Sequence, residues 1–167
     1  HGFIREWGLE QWVRDTRIAQ IYEGTNGVQA HDLMGRKVAK NNGPFVAPLI
    51  AETREFNATL AGNANLAFIH DALEQAAQDI ESATQFVIEQ SQQNPDQINA
   101  AAVDYLHAFG LLNFAYMFAK IAKAADGKDD TFYADKLRLA KFFVSRMLPE
   151  LKSRVASIKA GSDVMMD

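Results

Sequence analysis

Apolar residues recur at steps of three and four along most of the chain, which is the spacing of one face of an α-helix. The pattern predicts a short amphipathic helix over residues 9–19 and a second helix over residues 26–38. A run of turn-forming residues, 41–44, then ends this first segment. We therefore predict two parts, residues 1–43 and residues 44–167.

The second part repeats the helical spacing in longer stretches. We expect one helix over residues 46–60, a break near Gly62, and three long helices separated by polar loops at 92–95 and 125–131. The apolar positions that define the three long helices are Leu66, Ile69, Leu73, Ala76, Ile80, Ala83 and Val87; Ile98, Ala102, Tyr105, Phe109, Leu112 and Tyr116, thickened by Leu106, Met117, Phe118 and Ile121; and Tyr133, Leu137, Ala140, Val144, Met147, Leu151, Val155 and Ile158.

Helix starts and breaks can be assigned from single residues. Pro95 suits the first position of a helix, and Asp130 or Thr131 can cap the last one. Pro149 lies inside that last helix and should bend or break it, because proline removes a backbone donor. The aromatic-rich stretch 109–118 is interpreted as ordinary core.

No segment alternates as a strand does, so we predict an all-α chain. Short connections make neighbouring helices antiparallel. The predicted fold is therefore a set of short helices around a corner, followed by an up-and-down bundle of three or four helices over residues 45–160.

Composition narrows the function classes. A net charge of −4 gives no electrostatic footprint for nucleic acid. The absence of cysteine excludes disulfides, thiolate nucleophiles and Cys-based zinc sites. No apolar run approaches the roughly 18 residues of a membrane span, and residues 1–8 resemble the interior of a longer sequence rather than a signal peptide. A cytoplasmic protein is the expectation.

Metal and hydrolase chemistry also find little support. A di-iron bundle needs two Glu-x-x-His motifs, and the nearest approach here is the single pair Asp104 and His107. His31 and His70 each precede an aspartate but lack a second ligand one helical turn away. Gly-x-Ser-x-Gly and glycine-rich phosphate loops are absent from the sequence. We predict no metal site.

The strongest chemical candidate is Glu23, which lies between the first two predicted helices in the sequence Ile-Tyr-Glu-Gly-Thr. Gly24 allows close backbone approach, and Thr25 or Asn26 can cap the next helix. Glu23 could simply be a solvated loop acid that interacts with the helix macrodipole. Alternatively, Tyr22 and Gly24 beside it suit a catalytic base whose carboxylate lies against an apolar substrate and has a raised pKa for that reason.

Residues 1–38 closely resemble the C-terminal signature of the flavin-dependent acyl-CoA dehydrogenases. The matching positions are His1-Gly2-Phe3, Glu6, Leu9-Glu10, Arg14-Asp15-Thr16-Arg17-Ile18, Ile21 to Thr25, and Val28-Gln29. Residues 45–167 resemble the extra helical domain of larger bacterial members, a group that includes methylmercaptopropionyl-CoA dehydrogenases.

This resemblance implies an enzyme of fatty acid β-oxidation that oxidises an acyl-CoA to the trans-2-enoyl-CoA. Glu23 would be the catalytic base that removes the α-proton, while the β-hydride passes to FAD. Tyr22 and Gly24 would line the substrate. The cofactor-binding residues would be Thr25, Asn26 and Gly27, at a helix N-terminus that suits an anion.

The resemblance also implies partners and limits. An electron-transfer flavoprotein is expected as electron acceptor, and a homodimer or homotetramer as the assembly. Gly27, Ala30 and Gly35 replace the longer side chains of many relatives, so side-chain contacts to cofactor or substrate are lost there. The family's other domains are absent from these residues, so we predict that this fragment alone is inactive. The alternative function is an all-α interaction or oligomerisation module without catalysis.

Overall fold

The computed structural model describes residues 3–21, 25–40, 43–163 and 165, and over these residues the chain is helical without strands. The seven α-helices are α1 (Glu10–Arg17), α2 (Asn26–His31), α3 (Val46–Ala58), α4 (Ala67–Ser91), α5 (Asp96–Ala125), α6 (Thr131–Phe142) and α7 (Glu150–Lys159). Short 3₁₀ turns at Arg5–Trp7 and Ile18–Gln20 flank α1, and π-helical segments follow α2 (Asp32–Ala39) and α6 (Phe143–Met147). The predicted all-α class is confirmed.

The bundle is arranged around α5, the longest helix, which packs against α2, α4, α6 and α7. Helices α3, α4 and α5 run up, down and up, joined by short turns. Helices α6 and α7 together run antiparallel to α5, so that Arg154 of α7 meets Asp104 of α5 at 2.8 Å and Ser162 lies 2.9 Å from Gln97. The predicted up-and-down arrangement is therefore present, with α3, α4, α5 and the α6–α7 pair as its four antiparallel members.

Local sequence signals mark the helix boundaries to within a few residues. The Asp130 side chain accepts a hydrogen bond of 2.7 Å from the backbone N–H of Phe132 and caps α6 as predicted. Pro95 precedes the first residue of α5 instead of occupying it. Gly43, in the predicted break, has φ of 65°, and a Cβ there would lie 3.3 Å from the carbonyl oxygen of Val38. Glycine is therefore required at this turn.

Pro149 breaks the last helix as predicted, but the prediction for the apolar face beyond it was partly wrong. The predicted core position Met147 is 47% exposed, and Leu148 is buried in its place. The cause is the π-helical turn just before the proline, where the N–H of Leu148 bonds to the carbonyl of Phe143, five residues back. One extra residue in that turn moves the buried face by one position.

The interpretation of residues 109–118 as simple core is also wrong for two of them. Phe114 is 59% exposed and Met117 is 46% exposed. The face of α5 that contacts the bundle is lined mainly by small residues, among them Ala101, Ala108 and Ala119, which let neighbouring helices approach closely. Helix α5 is therefore apolar on its outer side as well as its inner side.

A buried tyrosine links α4 and α5. Tyr105 is fully buried, and its hydroxyl lies 2.6 Å from that of Thr84, which also donates to the carbonyl of Ile80 at 2.7 Å. Burial raises the pKa of the Tyr105 hydroxyl to about 12. The neutral phenol is therefore the form that the folded bundle stabilises.

We expect the bundle to lose stability between pH 10 and 12. Below pH 10 the phenol is neutral in both the folded and the unfolded chain, so the contribution is fully present. Above that pH the unfolded chain releases the proton first, and the free energy of unfolding should fall by about 2–3 kcal/mol by pH 12. Urea unfolding at a series of alkaline pH values measures this slope.

The Tyr105→Phe variant is the matched test of this slope. It should be about 1 kcal/mol less stable at pH 8, through loss of the hydrogen bond to Thr84, and it should lack part of the alkaline slope. Tyr133→Phe, at a half-buried tyrosine of α6, is the control and should keep the slope. Equal slopes for the Tyr105→Phe variant and the unmodified chain would show that Tyr105 does not titrate in this range.

Candidate functional site

The corner between α1 and α2 is the candidate site. Tyr22, Glu23 and Gly24 lie outside the described residues, so their roles as base and substrate wall stay predictions. The structure describes the segments on either side of the corner, residues 3–21 before it and residues 25–40 after it.

The segment before the corner, residues 3–21, is called the arm. Apart from the half-buried Glu10, its residues are exposed, and α1 packs mainly against its own flanking turns. The polar contacts of the helix are local: Arg14 forms an ion pair with Glu10 at 3.1 Å, and the Gln11 amide donates a hydrogen bond of 2.7 Å to Asp15. The amphipathic helix predicted here is confirmed, although its apolar face, including Trp12 (70% exposed), is not buried by the bundle.

The segment after the corner is anchored to the bundle. Ala30, Met34 and Val38 are completely buried and belong to the same core as α4 and α5. They recur every four residues, and the π-helical geometry of Asp32–Ala39 keeps them on one face against α5. The bundle therefore holds the C-terminal side of the corner in place.

The first turn of α2 is open to solvent. Thr25 occupies the predicted N-cap position, but its side chain makes no capping hydrogen bond, and its carbonyl accepts from the N–H of Gln29 at 3.1 Å. Thr25, Asn26 and Gly27 are all exposed. Among the described residues, a Cβ added to Gly27 would meet no atom outside its own helix within 4 Å.

This open turn fits the binding of an anionic group. The first N–H groups of a helix lack intrahelical partners, and a glycine without neighbours lets a ligand approach the backbone. The assignment of Thr25, Asn26 and Gly27 as cofactor-binding residues stays a prediction.

Gly35 and Arg36 are adjacent in the sequence but have different surroundings. Gly35 lies against α5, where an added Cβ would be 3.7 Å from Cγ2 of Ile98. Arg36 next to it is exposed and pairs with Asp32 at 2.7 Å. Its side chain therefore lies on the exposed side of the segment.

The histidines give no metal centre within the part of the chain that the structure describes, where no group of three potential ligands occurs. His70 pairs with the adjacent Asp71 at 2.9 Å, and His107 is exposed. Among the described helices, none is both long and apolar enough to cross a membrane.

Sequence comparison identifies the class. Residues 49–167 match the family described as "Acetyl-CoA dehydrogenase C-terminal like", and residues 1–38 match "Acyl-CoA dehydrogenase, C-terminal domain". The chain belongs to the acyl-CoA dehydrogenase family, in agreement with the resemblance of its motifs.

Named relatives extend the match over the whole chain. A broad-specificity linear acyl-CoA dehydrogenase of Mycobacterium tuberculosis is 28% identical over 91% of the chain and 27% of its own length. A 3-methylmercaptopropionyl-CoA dehydrogenase of Ruegeria pomeroyi is 31% identical over 99% of the chain and 29% of its own length. A butyryl-CoA dehydrogenase of Syntrophomonas wolfei is 28% identical over the entire chain. The chain thus spans less than a third of the length of these relatives.

Proposed function

We propose that the chain is the part of an FAD-dependent acyl-CoA dehydrogenase that supplies the catalytic base and an appended helical bundle. The observation that carries this proposal is the match of both family descriptions and of full acyl-CoA dehydrogenases along the whole chain. The Tyr-Glu-Gly-Thr corner lies inside the matched region, at residues 22–25. The reaction would belong to the β-oxidation of an acyl-CoA in the cytoplasm.

Glu23 is the residue proposed to act on the substrate. Its carboxylate would take the α-proton of the acyl thioester, and its backbone N–H would stabilise the developing enolate oxygen. Tyr22 and Gly24 would line the thioester and exclude water from the base. A partly desolvated carboxylate is a stronger base, because its charged form is less well solvated.

Thr25, Asn26 and Gly27 are proposed to hold the cofactor through backbone N–H groups at the open start of α2. When bound, FAD supplies the hydride acceptor for the β-carbon of the acyl chain. Gly27 contributes no side chain, so its contact would be made by the backbone alone. Ala30, Met34 and Val38 act indirectly, because their burial against α5 fixes the helix that carries the site.

Electrons would leave through an electron-transfer flavoprotein, and the assembly would be a homodimer or homotetramer. The alternative is a non-catalytic interaction module, and the one feature in its favour is the appended helical bundle. This alternative gives the corner sequence no role, and among the described residues no atom outside the helix lies within 4 Å of a Cβ at position 27.

The proposal is tested by comparing the 167-residue chain with the full-length protein. Full-length protein should purify with FAD, and an acyl-CoA added without oxygen should bleach the flavin absorbance. The 167-residue chain should neither retain FAD nor bleach it, because its residues form one wall of the site only. Bleaching by the short chain would contradict the division of the site, and a full-length protein without flavin would contradict the enzyme assignment.

A further inference from the structure

Helix α3 is fixed to the bundle in two different ways along its length. Its buried positions are Val46, Ile50, Thr53 and Asn57, which recur at steps of three and four, and the helix packs mainly against α4. The first two buried residues are apolar and the last two are polar. The second half of α3 therefore presents polar side chains at positions where the other long helices bury mainly apolar ones.

The second half of α3 buries two polar atoms that have no hydrogen-bond partner among the described residues. They are Oγ1 of Thr53, which is 1% exposed, and Oδ1 of Asn57, which is 3% exposed. The amide nitrogen of Asn57 is satisfied, because it donates a hydrogen bond of 3.0 Å to the carbonyl of His70. A buried polar atom without a partner destabilises the packed arrangement, since it loses the hydrogen bond that water gives it in the open one.

The interface between α4 and α5 has the opposite character. Its buried threonine, Thr84, donates to the carbonyl of Ile80 at 2.7 Å and meets the hydroxyl of Tyr105 at 2.6 Å. The same residue type is thus paired between α4 and α5 and unpaired between α3 and α4. The cost of an unpaired hydroxyl therefore falls on the packing of α3 and not on the centre of the bundle.

Polar contacts at the two edges of α3 hold it against its neighbours. On the α4 side, the guanidinium of Arg54 lies 3.1 Å from Glu74 and 2.9 Å from Glu81. On the α5 side, the hydroxyl of Tyr116 donates a hydrogen bond of 2.8 Å to Glu52. Ion pairs near the surface stabilise weakly and are screened by salt. These contacts can therefore break without disruption of the apolar core.

We propose that residues 51–58, which we call the strap, open from α4 by local unfolding while α4, α5 and α7 stay packed. The strap lies between two buried apolar anchors, Ile50 before it and Leu60 after it. Proteins open locally through units that are less stable than the whole, and few buried apolar contacts mark such units. Opening returns the hydroxyl of Thr53 and the carbonyl oxygen of Asn57 to water.

Native-state hydrogen exchange of the 167-residue chain tests the opening. Amides of the strap should exchange at least about tenfold faster than that of Leu112, a buried residue at the centre of α5. Their exchange should also depend less on denaturant, because local opening exposes less surface than global unfolding. Equal protection and equal denaturant dependence for the strap and Leu112 would overturn the proposal, since α3 would then open only with the whole chain.

Two threonine variants test the cause of the opening. Thr53→Val keeps the shape of the side chain and removes the unpaired hydroxyl, so it should slow exchange of the strap by about tenfold. Thr84→Val is the matched control: it should speed the exchange of Leu112 and leave that of the strap unchanged, because the hydroxyl of Thr84 keeps its partners when the strap opens. Faster exchange of the strap in Thr53→Val would show that this hydroxyl is paired in solution, which would refute the proposal.

A third pair of variants tests the contacts at the edge. Arg54→Met removes both ion pairs to α4 and should speed exchange of the strap by up to about fivefold. Arg138→Met removes an ion pair of 2.9 Å to Asp135 within α6 and should leave the strap unchanged. Equal exchange of the strap in the two variants would overturn the role of Arg54. None of these measurements uses dehydrogenase activity, so their failure leaves the proposed function intact.

Discussion

Replacing Glu23 with glutamine in the full-length protein should lower kcat/KM for an acyl-CoA substrate by about 10²-fold or more. Glutamine preserves the size of the side chain but cannot accept the α-proton, and general base catalysis is typically worth about 10²–10⁴-fold. The measurement is steady-state reduction of an artificial electron acceptor. Flavin content must stay unchanged, which separates loss of the base from loss of the cofactor.

Two further variants sharpen that result. Glu55→Gln removes an exposed carboxylate of α3, far along the sequence from the corner, and should leave kcat/KM unchanged. Glu23→Asp keeps a carboxylate on a shorter side chain and should recover part of the activity. Exchange of the substrate's α-hydrogen with solvent deuterium should disappear with Glu23→Gln. Retention of full activity by that variant would refute Glu23 as the base.

Replacing Phe143 with alanine should destabilise the bundle by about 3–5 kcal/mol, the usual cost of removing a buried phenylalanine. Phe143 is 1% exposed, stacks on Phe118 with ring centres 4.7 Å apart, and meets the edge of Phe114 at 6.3 Å. Removal of the Phe143 ring leaves a cavity between α5 and the π-helical turn. Urea unfolding of the 167-residue chain at neutral pH gives the value.

Phe142 is the matched control, because it is the same residue type one position earlier and is 57% exposed. Phe142→Ala should change the free energy of unfolding by about 0.5 kcal/mol or less, as surface substitutions usually do. Similar losses for both variants would mean that the two side chains are equally buried in solution.

Helices and their breaks could be predicted from the sequence because the signals are local. The spacing of apolar residues indicated α3, α4 and α5, and Asp130 and Pro149 marked a cap and a break that the structure confirms. The family could be predicted as well, from motifs within residues 1–38. These features depend on residues close together in the chain.

The failures concern features that depend on tertiary contacts. Whether Met147 or Leu148 faces the core depends on a hydrogen bond that spans five residues instead of four, and apolar spacing cannot distinguish these cases. Phe114 and Met117 have the composition of core residues but lie on the outer side of α5, since alanines already fill the inner side. The heptad spacing of residues 100–124 was the available signal for a second apolar face. The roles of residues 22–27 stay predictions.

The arm has a practical consequence for experiments on this chain. Its residues contribute almost nothing to the core, so changes in the arm should hardly alter the melting temperature. A mutational scan that scores folding of the 167-residue chain would therefore rank Arg14 or Trp12 as dispensable. If the chain acts within a longer acyl-CoA dehydrogenase, as proposed, the same changes should lower the turnover of that protein. Tolerance to mutation in this region has to be read from turnover and cannot be read from thermal denaturation.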